Sequence, residues 1–402
     1  MKIGCIALNS NLISCEKQTK IIEYLSSKLY EIGESFSLIS YFENGIEKIR
    51  DIVSQNFKLL FVIGTNDVIY NHNIKDNISR IVGDKLEINP TASQSLKSYC
   101  AKFNIPFSIQ EEMETNLPTK SIPLVFEESF FNGFMYKHND TILIYIPSDF
   151  ELVENNYSKY ILPLINDLTN SNCNVQIIKC FGILEKDIKN LILDCFGISG
   201  VEINIVSDDL DSTIFVRFSC EIEQSKQREI ISNIISKLNK FIYSLDNSSI
   251  YKMAVELLKV QHKSIIVCET LTYGEISKNL SLIDNDIINF SGVYPNFDII
   301  QREIKIDSQI ISDYGKYSVN TVYELANAML ETKTGDLVLF VLGDKNSDIC
   351  YMAIGDFDGI HVYKNKINIK NLNLIGNLSK TALFYLIKKL KQNDLCFWYF
   401  GV

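Results

Sequence analysis

Residues 268–277 read CETLTYGEIS, and Glu269, Thr270, Thr272 and Tyr273 place a carboxylate, two alcohols and a phenol side by side, with Gly274 next. The run before it, Ser264-Ile265-Ile266-Val267, reads as a buried strand. In an open α/β sheet, ligands bind beyond the carboxyl ends of the strands. Polar side chains and a glycine at such an end suit a small charged molecule. A threonine capping the start of a helix leaves the same pattern. The stretch alone therefore carries two readings, a ligand pocket and a capped strand-to-helix connection.

Other reactive residue types are sparse or scattered. An alcohol at neutral pH needs a neighbouring base to become a nucleophile, yet no Ser/His/Asp arrangement is visible. Of the four histidines, His72 in Asn71-His72-Asn73 has no carboxylate or cysteine at coordinating spacing and reads as a loop residue. His138, His262 and His361 lie near Lys, Asn or Gly and read as turn residues. Ten cysteines run from Cys5 to Cys396 without a Cys-x-x-Cys pair. Several of them (Cys180, Cys195, Cys268, Cys350) sit in apolar runs, where a free thiol behaves as a small hydrophobe. That usage points to a reducing cytoplasm. No metal and no cofactor are expected.

The balance of 39 basic against 49 acidic residues, net −10, argues against a nucleic-acid-binding surface. The first strand, Lys2–Leu8, breaks at Asn9, too early for a signal peptide. No apolar run approaches a membrane span. A soluble cytoplasmic protein with no membrane partner is expected.

At 402 residues and 46% hydrophobic content, the chain can form two to four domains with packed cores. The N-terminal part alternates strands at Lys2–Leu8, Phe36–Tyr41, Leu59–Ile63 and Ile142–Ile146 with helical segments, including Ile21–Ile32, Glu47–Asn56 and an exit over Lys159–Leu168. Continuous apolar strands of this kind lie in a parallel sheet covered on both faces. After an Asn/Ser/Thr-rich linker at Asn166–Asn174 comes a smaller α+β unit. Its strands are at Val175–Phe181, Val201–Val206 and Thr213–Phe218, and its helices lie at Asp187–Phe196 and along Ile230, Ile231, Ile234, Ile235, Leu238 and Phe241. A second linker, Leu245–Ser249, leads back to α/β. There a helix over Met253–Val260 precedes the opening stretch, followed by a helix at Val319–Leu330, a strand at Leu337–Leu342, a hairpin turning at Asp356–Gly359 and a helix at Ser379–Lys391. The expected domains are 1–170, 171–246 and 247–402.

Six short stretches mark the ends of these elements. In the last domain they are Cys268-Glu269-Thr270-Leu271-Thr272-Tyr273-Gly274, Tyr294-Pro295-Asn296-Phe297-Asp298-Ile299 after Gly292-Val293, Gly315-Lys316-Tyr317-Ser318, and Val341-Leu342-Gly343-Asp344. In the first they are Gly64-Thr65-Asn66-Asp67-Val68-Ile69-Tyr70-Asn71-His72 and Tyr145-Ile146-Pro147-Ser148. In this order, over almost the full length, the chain resembles the CinA (competence/damage-inducible) family. The resemblance implies an α/β fold of three parts. These are a molybdopterin-binding-like α/β/α domain, a small KH-like α+β domain and an α/β/α domain of the nicotinamide-nucleotide amidase type.

The family's C-terminal motif is Ala-Glu-Ser-Cys-Thr-Gly-Gly. Its serine falls on Thr270, while Glu269, Thr272 and Gly274 keep the family's residues. Its Tyr-Ser-Asn-x-x-Lys falls on Tyr294, Asn296 and Ile299, so tyrosine and asparagine remain and the lysine does not. Its Gly-Ala-Val-Ser ends on Ser318. In the N-terminal domain, the glycine-rich phosphate cradle with paired aspartates keeps only Gly64, the aspartates becoming Asn71 and His72. The strand-end Gly-Thr-Glu becomes Asn9-Ser10-Asn11, and of the later proline-rich turn only Pro147 remains. The middle domain lacks a Gly-x-x-Gly loop opening a helix; Gly197-Ile198-Ser199-Gly200 follows one instead and reads as a helix stop.

The resemblance thus implies hydrolysis of the amide of a nicotinamide nucleotide. Thr270 would be the nucleophile, Tyr294 would assist proton transfer, and Glu269, Thr272, Gly274, Asn296 and Ser318 would shape the substrate pocket. It equally implies a second reading, since isoleucine cannot accept a proton. That reading is a catalytically silent homologue holding a nicotinamide mononucleotide or ADP-ribose type nucleotide, or serving as a scaffold. A homodimer is expected in either case.

Overall fold

The computed structural model describes residues 1–9, 15–43, 47–169, 174–368 and 373–392. They form a mixed α/β protein with several sheets, divided into two compact units, Met1–Asn174 and Val175–Val402.

In the first unit β1 (Ile3–Asn9), α1 (Glu16–Glu31), β2 (Phe36–Glu43), α2 (Lys48–Val53) and β3 (Leu59–Ile63) alternate. There follow α3 (Val68–Val82), β4 (Leu86–Ile88), α4 (Pro90–Phe103), α5 (Ile109–Glu114) and β5 (Asn116–Pro118). β6 (Ile122–Leu124), β7 (Gly133–His138), β8 (Thr141–Ile146), α6 (Phe150–Asn156) and α7 (Leu162–Thr169) complete it. The main sheet has the order β2-β1-β3-β8-β7-β6. β2, β1, β3 and β8 are parallel, and β7 and β6 run against them. The pleat sends Ile3, Cys5 and Ala7 to one face, under Ile21, Leu25 and Leu29 of α1. It sends Ile6 and Leu8 to the other, under α2 and α3. Lys2–Leu8, Leu59–Ile63 and Ile142–Ile146, expected in one mostly parallel sheet, lie there as β1, β3 and β8, with β2 beside them. The separate β4–β5 ribbon carries no apolar signature and was not legible.

Three local expectations are corrected. Asn71-His72-Asn73 is not a loop but lies inside α3. Asp67 caps that helix by accepting from Tyr70 N, it ends at Gly83 in the left-handed region, and buried Ile74 and Ile78 pin it to the sheet. Capping and packing override the weak helix preference of the asparagines. His361 is no turn residue either; it lies in a strand that pairs Ile354 with it. The exit over Lys159–Leu168 is not one α-helix, because a π-helical turn, Tyr157–Ile161, joins α6 to α7.

The second unit opens with β9 (Asn174–Phe181), α8 (Glu185–Leu191), β10 (Val201–Asp208), β11 (Asp211–Phe218), α9 (Gln224–Leu238) and β12 (Ile242–Ser244). Their sheet has the order β10-β11-β9-β12. Ile188, Ile230, Ile231 and Ile234 of the helices pack on Ile178, Cys180, Ile214 and Val216. Phe241 falls beyond the end of α9 rather than on its face. After it come α10 (Ile250–Val260), β13 (Ile265–Glu269), α11 (Glu275–Ile283), β14 (Ile288–Val293), α12 (Phe297–Glu303) and α13 (Ser308–Tyr314). Then follow α14 (Val319–Thr332), β15 (Leu337–Gly343), β16 (Ile349–Asp356), β17 (Gly359–Lys366) and α15 (Leu374–Gln392). The second sheet has the order β14-β13-β15-β16-β17, with its first three strands parallel. One face is covered by α10, α11 and α15, the other by α12 and α14. Among the described residues no helix is long and apolar enough to cross a membrane.

The expected linker at Leu245–Ser249 is an ordered turn. Asp246 accepts from Ser244 Oγ and Ser248 N, and Ser249 caps α10. The two sheets of this unit share a core, in which Phe181 and Tyr243 meet α10 and α15. Lys380 of α15 bridges to Asp211 at 2.9 Å, and Lys391 donates to Tyr243 O at 2.9 Å.

Burial holds the Lys391 ammonium down to about 8, against about 10.4 in an unfolded chain. Between those values the unfolded chain holds the proton and the folded chain has released it, so stability rises with pH there. Urea midpoints at pH 7.5 and 9.5 should therefore show wild type gaining on the order of 1–2 kcal/mol relative to Lys391→Met. Parallel pH profiles for the two proteins would refute this.

Candidate functional site

The carboxyl ends of β14, β13 and β15 lie side by side, with Glu269 opposite Val293 on one flank and Val341 on the other. The helix after β13, α11, packs on one face of the sheet, whereas α14, before β15, packs on the other. The helices that leave the carboxyl ends of β13 and β14, α11 and α12, thus lie on opposite faces of the sheet, the topology at which open α/β sheets bind their ligands. Glu269, Thr270, Thr272 and Gly274 follow β13 to this end. Tyr294 and Asn296 come from β14, whose exit is tied on by Tyr294 N donating to Glu269 O at 2.8 Å. Ser318 starts α14 next to Tyr317, whose ring packs on Phe297 at 5.7 Å. The structure thus brings all seven residues to one end of one sheet.

Each of them has a partner within the fold, with one exception. Glu269 is fully buried and its carboxylate accepts from Ile276 N at 3.1 Å, Ser277 N at 2.9 Å and Ser277 Oγ at 2.6 Å. An internal anion therefore already occupies the positive start of α11. Thr270 Oγ1 donates to Val341 O at 3.0 Å, with Gly343 O 3.2 Å away, and accepts from Gly343 N at 2.9 Å. Tyr273 and Gly274 both adopt positive φ, 49° and 86°, to turn the chain into α11. Asn296 caps α12 by accepting from Ile299 N at 3.2 Å. Ser318 caps α14 by accepting from Thr321 N at 3.1 Å. Tyr294 is buried and lies parallel to Phe340 at 6.3 Å between ring centroids. The exception is Thr272, fully buried with its hydroxyl unpartnered among the described residues.

Burial pushes the Tyr294 phenol and the Cys268 thiol up, each further raised by a neighbouring acid. Ile299, at the position of the family's lysine, packs partly buried into the apolar cluster around Phe297 and Ile300. Sequence reading missed Ser277 and Ser291, which extend the Glu269 network through a 2.8 Å bond between their hydroxyls. No spacing signal could have found Ser291, which reaches the network only through the pairing of β14 with β13.

At the end of β3 in the other unit, Gly64 leads into a loop stitched by its own side chains. Thr65 N donates to Asn71 Oδ1 at 2.9 Å, and Asn71 Nδ2 returns a bond to Thr65 O at 2.8 Å. A Cβ at Gly64 would come within 2.6 Å of both Asn71 Oδ1 and the Tyr145 hydroxyl. Gly64 is thus needed for internal closeness. Of Asn9-Ser10-Asn11 only Asn9 is among the described residues, buried at the end of β1. Among the described residues no group of three or more His, Cys, Asp or Glu could hold a metal ion.

No family model matches the chain. It is similar to a protein of Caldicellulosiruptor saccharolyticus described as competence-damage inducible, 19% identical, spanning 92% of this chain and 94% of that one. A CinA-like protein of Kosmotoga olearia is 21% identical over 94% of this chain and 95% of its own. A competence-damage inducible protein of Streptococcus pneumoniae is 20% identical over 98% of this chain and 100% of its own. Among solved structures, the competence/damage inducible protein CihA from Agrobacterium tumefaciens matches 37% of this chain and 99% of its own length, at 18% identity and a TM-score of 0.33.

Proposed function

We propose that this chain, a CinA-family protein by its likeness to competence-damage inducible proteins along nearly its whole length, is a catalytically silent member. The observation that carries the reading is the Thr270 hydroxyl, committed to Val341 O and Gly343 N. A nucleophile must be free to turn toward its substrate and must have a base beside it. Thr270 has backbone on two sides, and Ile299 stands where the family supplies a lysine. Glu269, Asn296 and Ser318 act as helix caps in this reading, and Tyr294 as packing.

The finer architecture follows the same likeness. Residues 1–170 form a molybdopterin-binding-like α/β/α domain, 171–246 a KH-like domain and 247–402 an amidase-like α/β/α domain, in a cytoplasmic homodimer. The parallel order β2-β1-β3-β8 and the switch in helix side at β13 support the two α/β assignments. In this reading the carboxyl ends of β13 and β14 hold a nucleotide without cleaving it.

Ammonia release from nicotinamide mononucleotide tests this. Wild type is expected to show no turnover above a no-enzyme control. Thr270→Val is expected to lose about 1–3 kcal/mol of stability, because Gly343 N is left buried without an acceptor, while Thr270→Ser keeps the bonds and the stability. Brisk wild-type turnover abolished in folded Thr270→Val would restore the amidase. Calorimetric titration with the same nucleotide then separates a nucleotide holder from a scaffold.

A further inference from the structure

Away from the strand ends that carry the candidate site, the second unit contains a cleft of about 480 Å³ between the end of β9, β17 and α15. None of the seven candidate residues lines it. Its volume is that of an ordinary small-molecule site, about 300–1,000 Å³, and its composition fits one too, an apolar body with a few polar groups. Phe181, Phe241, Phe384 and Tyr385 supply aromatic walls, with Phe181 and Phe384 5.5 Å apart between ring centroids.

Among the described residues, Asn365 Nδ2 has no acceptor and Lys388 no carboxylate. Asn365 accepts from the Tyr385 hydroxyl at 2.9 Å through Oδ1, while its Nδ2 is buried with no acceptor among the described residues. Lys388 lies over the Phe384 ring at 4.4 Å, and among the described residues it has no carboxylate partner. Its neighbour Lys389, by contrast, pairs with Asp356. Burial, and then the Lys240 ammonium nearby, hold Lys388 below the ordinary lysine value. An anion would relieve both the repulsion between the two lysines and the desolvation of Lys388. A buried amide N–H aligned with an acceptor on the same molecule would no longer be orphaned.

We propose that this cleft binds a small aromatic anion, its ring against the phenylalanines, its charged group on Lys388 and an acceptor atom on Asn365 Nδ2. This goes beyond the silent-homologue reading and does not depend on it.

The test titrates the full chain with anilinonaphthalene sulfonate, an aromatic anion whose fluorescence rises in an apolar site, beside uncharged phenyl-naphthylamine. The sulfonate is expected to saturate at one site per chain and to raise the thermal midpoint. Lys388→Gln should weaken it about tenfold, the loss of one charge-assisted contact, and leave the uncharged probe unchanged. Thr381→Trp, which fills the cleft from α15, should abolish both. Non-saturating binding, or a Lys388→Gln variant that binds the sulfonate as well as wild type, would each overturn the proposal. If Thr381→Trp does not fold, the Lys388→Gln comparison alone decides.

Discussion

Replacing Glu114 by glutamine is expected to cost the first unit about 3–5 kcal/mol, the usual result of breaking a fully buried ion pair from one side. Glu114 of α5 and Lys75 of α3 are both completely shielded from solvent, with Lys75 Nζ 2.7 Å from Glu114 Oε2 and 3.0 Å from Glu114 O. Without the carboxylate, the ammonium is left in an apolar interior beside a neutral amide. The surroundings have little with which to compensate. Glu114 Oε1 and the buried Tyr145 hydroxyl already have no partner among the described residues, and Tyr145 is pushed up by its burial and then by the Glu114 charge. The double variant Lys75→Met, Glu114→Leu should recover most of the loss, because a packed apolar pair carries no desolvation penalty. Urea unfolding followed by circular dichroism measures both. A Glu114→Gln cost below about 1 kcal/mol would show that the pair contributes no more than a surface bridge.

Phe340→Ala is the second large effect, about 3–5 kcal/mol for a fully buried aromatic on a central strand. Phe340 sits in β15, fully buried, between Cys268 of β13 and Ala353 of β16. Its ring is the floor on which Tyr294 lies, so truncation opens a cavity directly under a candidate site residue. Tyr294→Phe keeps that stacking and removes only a hydroxyl, and should cost about 0.5–1.5 kcal/mol. The ratio of the two costs tells whether Tyr294 is held for its ring or for its oxygen. Equal costs would count against packing as its role. Calorimetric unfolding of the two variants decides it, and the same samples assayed for ammonia release report whether either residue touches chemistry.

The sequence by itself determined the elements whose signal is local. Leu59–Ile63 is a strand from its unbroken apolar run and the turn residues around it, and it appears with those bounds. The alternation of such strands with helices was enough to dictate parallel pairing, since a helical crossover carries the chain back to the end from which the previous strand began. Position 299 was equally legible, because an isoleucine cannot act as a base wherever the fold puts it. Tertiary structure alone decided what the polar residues do. CETLTYGEIS is consistent with a pocket or with a capped turn until β15 comes alongside and its backbone, 71 and 73 positions away, takes up the Thr270 hydroxyl. Glu269 reads as a ligand contact until α11 folds back and sets two N–H groups on its carboxylate. Lys75 and Glu114, 39 residues apart, look like surface charges until the packing of α3 against α5 excludes water from both. For Thr270 and Lys75 the partner is a group distant in sequence, and for Glu269 it is a nearby backbone that comes into reach only when α11 folds back. No pattern of spacing along the chain encodes which buried polar group must satisfy which other.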